Sequence, residues 1–229
     1  MPKHPSLEAQ SEHIGWSLQV MRARYLGDKR WDDRERFDVP AEEVVAARIA
    51  AEGHLCSWCE GGSINLLMKA AALDVLANLN FFSNRTDAIR RYLEAQFTIL
   101  KEFESELLAC IRNVTAGRLS ENIAEICADP FIREAYPRVR QDFLISLGCV
   151  LETEFLSQVA TVFITKPYDY RSGWPDLTVI DNRAVSFVEV KTTDRFHGSQ
   201  LRFAEEVAKP LRLACRTVQL WPARSRSPP

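Results

Sequence analysis

Apolar positions along the chain follow a helical rhythm through most of its length and a strand rhythm near its end. From Pro40 to Ala51 the sequence Pro-Ala-Glu-Glu-Val-Val-Ala-Ala-Arg-Ile-Ala-Ala opens with proline and acids in the first turn, a helix start that Gly53 closes. After Gly61-Gly62-Ser63, residues Ile64 to Leu76 are apolar at three- and four-residue spacing on more than one face, which predicts a mostly buried helix with Glu60 at its entrance. From about Asp87 to Val159 the composition stays helix-forming, broken at Thr115-Ala116-Gly117, Asp129-Pro130 and Tyr136-Pro137. That stretch reads as a helical insertion. The segment 1–39 is rich in charge and turn residues, with one short helix expected over Ile14 to Tyr25.

The strand rhythm begins with Thr161-Val162-Phe163-Ile164-Thr165, a β-branched and aromatic run stopped by Lys166-Pro167 and expected as the first strand of a sheet. Leu177 to Ile180, the polar pair Asp181-Asn182, and Val185 to Lys191 read as strand, tight turn, strand. Ser199 to Leu213 returns to helical spacing with Leu201, Ala204, Ala208 and Leu211 on one face, and Cys215 to Trp221 is a further strand. The polar tail 223–229 is expected to be disordered. The fold class is therefore α/β: a helix, three strands, a helix and a strand over 40–222, interrupted by the insertion at about 87–159 and preceded by N-terminal helices.

Composition changes this picture little. With 229 residues, 46% of them hydrophobic, the chain can bury a sizeable core. No apolar run approaches membrane-spanning length and the N-terminus lacks signal-peptide order, so a cytoplasmic location and no membrane partner are expected. The six cysteines are scattered and are expected to stay reduced. A net charge of -2 requires any basic groove to be local, because a cluster of catalytic carboxylates lowers the total without removing one.

The candidate chemistry lies in the hairpin. Residues two apart on a strand face the same way, so Glu189 and Lys191 share a face with Phe187 while Val188 and Val190 point to the other side. Asp176 begins the neighbouring strand, where antiparallel pairing can bring its carboxylate near Glu189. Neighbouring buried carboxylates repel, and a divalent cation or a shared proton relieves them. Oxygen ligands without histidine or thiol select Mg²⁺ or Mn²⁺ over Zn²⁺. A metal held there can polarise a phosphoryl oxygen, with Lys191 orienting water or steadying charge on the scissile phosphate.

Gly173-Trp174-Pro175-Asp176, Glu189-Val190-Lys191 and Ser199-Gln200 opening a helix resemble the VRR-NUC branch of the PD-(D/E)XK nucleases. Upstream, Cys59-Glu60-Gly61-Gly62-Ser63 before an apolar helix looks like the nuclease domain of Fanconi-associated nucleases and their bacterial relatives. The resemblance implies a restriction-endonuclease-like core and metal-dependent hydrolysis of DNA phosphodiesters in branched, flapped or single-stranded DNA, in repair or processing. It makes Glu60, Asp176, Glu189 and the Val190 carbonyl metal ligands, Lys191 the catalytic lysine, and Gln200 the glutamine that orders the active site. Two alternatives stand beside it: a homodimeric Holliday-junction resolvase, against which the helical insertion favours a monomer, and an idle nucleic-acid-binding module, against which the intact charged set argues.

Other features carry less. His54, Cys56 and Cys59 are three potential zinc ligands, yet structural zinc takes four and no second pair is evident. His197, in the loop before the Gln200 helix, reads as exposed. Arg85, Arg90, Arg91, Arg112, Arg118, Arg133, Arg138 and Arg140 could line a groove, although interleaved glutamates assign most of them to a solvated face. There is no Walker loop, nucleophile elbow or dinucleotide fingerprint.

Overall fold

A computed structural model describes residues 5–33, 36–80, 84–193 and 195–223; the expected disorder of 224–229 lies outside them. Helix α1 (Leu7–His13) is capped by the Ser6 side chain, and a hairpin-rich segment follows: β1 (Ser17–Gly27), β2 (Arg30–Asp33) and β3 (Arg36–Val39). The helix expected over Ile14 to Tyr25 is thus corrected to a strand. Met21 and Ala23 are buried while Val20, Arg22 and Arg24 are exposed, a period of two that the intervening Tyr25 and Leu26 obscure in the sequence.

Helix α2 (Ala41–Ala51) starts where proline and acids predict, and Gly53 follows it with φ +92°. Strand β4 (Leu55–Trp58) comes next and was not expected, being only four residues long and interrupted by polar residues. Helix α3 (Gly62–Leu79) is buried almost all round, as its apolar faces require. The insertion then runs through α4 (Arg85–Arg90), α5 (Leu93–Ile99), a single 3₁₀ turn, α6 (Glu104–Asn113), α7 (Ala116–Ala128), α8 (Pro130–Ala135), α9 (Gln141–Val150) and α10 (Thr153–Phe163). The expected breaks fall at the Thr115 and Asp129 caps and at Tyr136-Pro137, but further ones after Arg90, Ile99 and Val150 divide the insertion's described residues into seven helices where about three or four segments were expected.

Thr161 to Thr165 is not the first strand: Thr161 to Phe163 end α10, and Ile164 is its C-cap. Leu156, Val159, Ala160 and Phe163 are buried at helical spacing, and that stripe is visible only when the window starts upstream of the β-branched run. Helix α11 (Pro167–Tyr170), β5 (Leu177–Asp181), β6 (Ala184–Lys191), α12 (Gly198–Phe203), a π turn over Ala204–Ala208, and β7 (Ala214–Pro222) complete the chain. The core order of helix, three strands, helix and strand is filled by α2, β4, β5, β6, α12 and β7. The insertion, with α3, therefore sits between the first and second core strands.

The strands form one curled sheet in the order β3-β2-β1-β7-β6-β5-β4. The β4–β5 and β5–β6 pairs are antiparallel, whereas β7 lies parallel to both β6 and β1. Alternation divides the core between the faces. Val188, Val190, Val218 and Leu220 pack with Val44, Val45 and Ile49 of α2, while Phe187 joins the large helical core around α3. Among the described residues no single helix is long and apolar enough to cross a membrane.

Candidate active site

The motif Gly173-Trp174-Pro175-Asp176 is placed by close packing. Trp174 is buried, donates its indole N–H to the Tyr170 carbonyl at 2.8 Å, and packs edge-on against Phe187 and tilted against Phe203 at centroid distances of 5.6 and 4.6 Å. Gly61 and Gly173, with φ of +81° and +87°, bring backbone against this wedge. A Cβ on Gly61 would overlap the Trp174 ring, and one on Gly173 would collide with the Ser199 carbonyl at the start of α12. The acidic strand end and the glutamine helix are thereby locked together.

On β6, Glu189 and Lys191 face the helical core side together and are only 1% and 2% exposed. Lys191 Nζ lies 2.9 Å from Glu189 Oε1 and donates to Gln200 Oε1 at 2.9 Å, while Gln200 Nε2 donates to Glu189 Oε1 at 2.6 Å. Gln200 is itself fixed by its helix: its Oε1 also accepts the His197 N–H at 2.9 Å in a capping box. His197, expected as a bystander, is exposed yet holds the Gln200 side chain in place through its backbone.

Asp176 joins from the next strand, its Oδ2 accepting the Val190 N–H at 2.7 Å. Burial, and then the charge of Glu189, push its pKa up to about 8, against partial relief from the Val190 N–H and Lys191. Glu42 adds to the rise. This half-buried residue in the first turn of α2 was missed as a site residue, because acids there read equally well as helix-start signals; its neighbour Glu43 pairs instead with Arg36 at 3.5 Å.

Glu60 is brought to the same corner by its backbone. The Cys59 and Glu60 amides both donate to the Asp176 carbonyl at 3.2 Å, and Glu60 takes φ +47° to enter α3. Its side chain is exposed on the wall of a cavity of about 390 Å³ that also holds Trp58, Tyr92, Glu94, Arg138 and Arg171. The cluster is thus buried Glu189 and Lys191 with half-buried Asp176 and Gln200, and with Glu42 and Glu60 at its edges.

Among the described residues no group of three or more His, Cys, Asp or Glu side chains is gathered tightly enough to hold a metal ion. The donor set nonetheless fits Mg²⁺ or Mn²⁺, since such ions bind through one or two carboxylates and keep several waters. Asp176, Glu189 and the Val190 carbonyl supply oxygen only, and a cation there would reverse the electrostatic strain that raises Asp176. The zinc candidates are engaged separately: His54 Nδ1 is 3.2 Å from Asp181 Oδ1, Cys59 Sγ is 2.8 Å from Ser63 Oγ, and burial pushes the Cys56 thiol up to about 12.

Six of the eight insertion arginines considered above pair with acids of the insertion or α3, Arg85, Arg90, Arg91, Arg112, Arg118 and Arg140 among them. Arg138 instead stacks on the Trp58 ring at 3.6 Å.

Comparison with solved structures covers nearly the whole chain. Crystal structures of paFAN1 bound to 2-nt and to 1-nt 5′-flap DNA with a gap superpose with TM-scores of 0.61 and 0.58 at 17% identity, covering 90% of this chain and 38% of that one. The chain resembles the nuclease domain of the Fanconi-associated nuclease. It spans well under half the length of that protein, and the likeness is one of fold. No family model and no curated protein matches by sequence.

Proposed function

We propose that the chain is a divalent-metal-dependent deoxyribonuclease acting at flapped or branched DNA. The observation that carries this reading is the hydrogen-bonded cluster of buried Glu189 and Lys191 with half-buried Asp176 and Gln200 at the sheet end, on a fold similar to that of paFAN1 bound to 5′-flap DNA. Asp176, Glu189 and the Val190 carbonyl would hold Mg²⁺ or Mn²⁺; Glu42 adds its charge to Asp176, and Glu60, whose backbone N–H donates to the Asp176 carbonyl, lines the adjoining cavity. When bound, the ion supplies Lewis acidity to the scissile phosphate and favours ionisation of water.

The chain's own residues do the rest. Lys191, held by Glu189 and Gln200 at 2.9 Å, places an ammonium where negative charge grows on the phosphate, and burial strengthens that interaction. Gln200 is a positioning residue: it fixes both partners in one orientation. Arg138 and Arg171, at the mouth beside Glu60, provide positive charge for the DNA backbone. We favour a monomer, since helices of the insertion pack against the part of the sheet that carries Phe187.

The test is a cleavage panel of labelled single-stranded, duplex, 5′-flap, 3′-flap and four-way DNA with Mg²⁺ or Mn²⁺, with Lys191→Ala as control. The expected result is metal-dependent cutting of a flapped or branched substrate that the variant lacks. Absence of cutting on every substrate, or equal cutting by Lys191→Ala, overturns the reading. Dominant four-way cutting by a dimer would replace it with the resolvase.

A further inference from the structure

The sheet does not end at the cluster, and its uncovered continuation carries an aromatic and basic strip. In register, Glu189 lies opposite Thr217 and Lys191 opposite Gln219, so Trp221, two residues on, occupies the same face; Arg22 of β1 is its partner across the parallel pair. The alternate residues Val218, Leu220, Met21 and Ala23 all pack on the opposite side. Strand spacings place the Trp221 backbone roughly 8 Å from that of Lys191, about one nucleotide step.

This strip is exposed where a core strand face is normally covered. Trp221 is 45% exposed, with Arg22 exposed beside it on the same face; Tyr25, two residues beyond Ala23 and paired with Trp31, belongs to the opposite face, is 47% exposed, and with Lys29 meets Trp221 around the end of the sheet. A cavity of about 430 Å³ opens there at the carboxyl ends of β6 and β7, walled by Tyr25, Lys29, Trp31, Thr192, Gln219 and Trp221. Its floor is set, since Gln219 Nε2 donates to the Thr192 carbonyl at 3.1 Å. The indole N–H of Trp31, in that wall, is buried without an acceptor.

We propose that this strip is a binding platform for single-stranded DNA continuous with the active site. One base stacks on Trp221 beside Arg22, and the next turns around the sheet end onto Tyr25 beside Lys29, the two cations meeting the phosphates. The chemistry favours this occupant: an exposed indole and phenol offer π faces that any unpaired base can use, a paired base cannot reach them, and the surrounding exposed cations match a phosphate backbone. The inference rests on the nuclease reading and deepens it, by requiring an unpaired stretch beside the scissile phosphate.

Binding is measured in EDTA, by anisotropy of a labelled single-stranded oligonucleotide of about twelve nucleotides and of a blunt duplex, with thermal midpoints recorded for every variant. Trp221→Ala is expected to weaken single-strand binding at least about fivefold and duplex binding less than about twofold, while Trp221→Phe retains most of the affinity. Arg22→Ala should flatten the salt dependence. Should Trp221→Ala fail to fold, Tyr25→Ala and Arg22→Ala carry the same test. Unchanged single-strand affinity, equal loss on duplex, or a fall in solution mass without loss of affinity, which would make the strip a contact with a second copy, each overturns the proposal. Metal-dependent cleavage by a protein whose Trp221→Ala variant binds normally sinks the platform alone; Trp221-dependent binding without any cleavage sinks the nuclease reading alone.

Discussion

Two charged networks in this protein use the same residue types to opposite ends. Where the insertion packs on α3, Asp74 accepts from Arg85 at 2.6 Å and from Arg118 at 2.7 and 2.8 Å, and Arg85 also reaches Glu125 and Asn122. Those guanidiniums, Arg118 foremost, hold the Asp74 carboxyl far below the usual range. At the sheet end Asp176 accepts from the Val190 backbone N–H, and burial beside Glu189 pushes it up to about 8. A carboxylate matched by cations is content where it is and serves the fold. One that is desolvated among other acids is held in readiness for a ligand of opposite charge.

The contrast can be broken most sharply by removing members of the sheet-end cluster. Lys191→Ala and Asp176→Ala are each expected to reduce metal-dependent cleavage at least about a thousandfold while far-UV circular dichroism stays unchanged. Glu42→Gln should cost less, about ten- to a hundredfold in kcat, because this residue acts on the site through its field. Arg85→Ala tests the other network: a stability loss of about 1–3 kcal/mol in urea titration, with cleavage within about twofold of the parent.

The smallest effect tests the sign of the comparison. A raised folded pKa favours the protonated form, so Asp176 adds stability below its ordinary value of 3.8, and that stability is lost as the pH climbs toward about 8. In chelator at pH 8, Asp176→Asn should therefore raise the thermal midpoint by a few degrees, and the gain should vanish at acid pH. Asp74 runs the other way. Its depressed pKa contributes stability present above 3.8 and lost as the pH falls further. A thermal scan in which Asp176→Asn destabilises the protein at pH 8 would contradict the account of the site.

The hairpin from Leu177 to Lys191 was legible because alternation and a two-residue turn are local, and its face assignment followed from period two alone. So did the starts of α2 and α3, where proline, acids and glycines act within one turn. Thr161 to Thr165 misled because a β-branched run at a helix end looks like a strand until Leu156 and Val159 are counted with it. Ser17 to Gly27 misled in the opposite sense, since a strand that pairs with β7 some 200 residues away leaves only a faint pattern in its own composition.

The sequence by itself determined that an acid, a second acid and a lysine sit at the ends of two paired strands, because side-chain direction on a strand depends only on parity. It also determined that a glutamine opens the next helix. Tertiary structure alone decided that Gln200 bonds both Glu189 and Lys191, that Glu42 adds its charge to Asp176 while the Glu60 side chain faces the neighbouring cavity, and that Trp221 continues the face of Lys191. Such contacts join residues far apart in the chain, and the packing of Trp174 between Gly61, Phe187 and Phe203 fixes them.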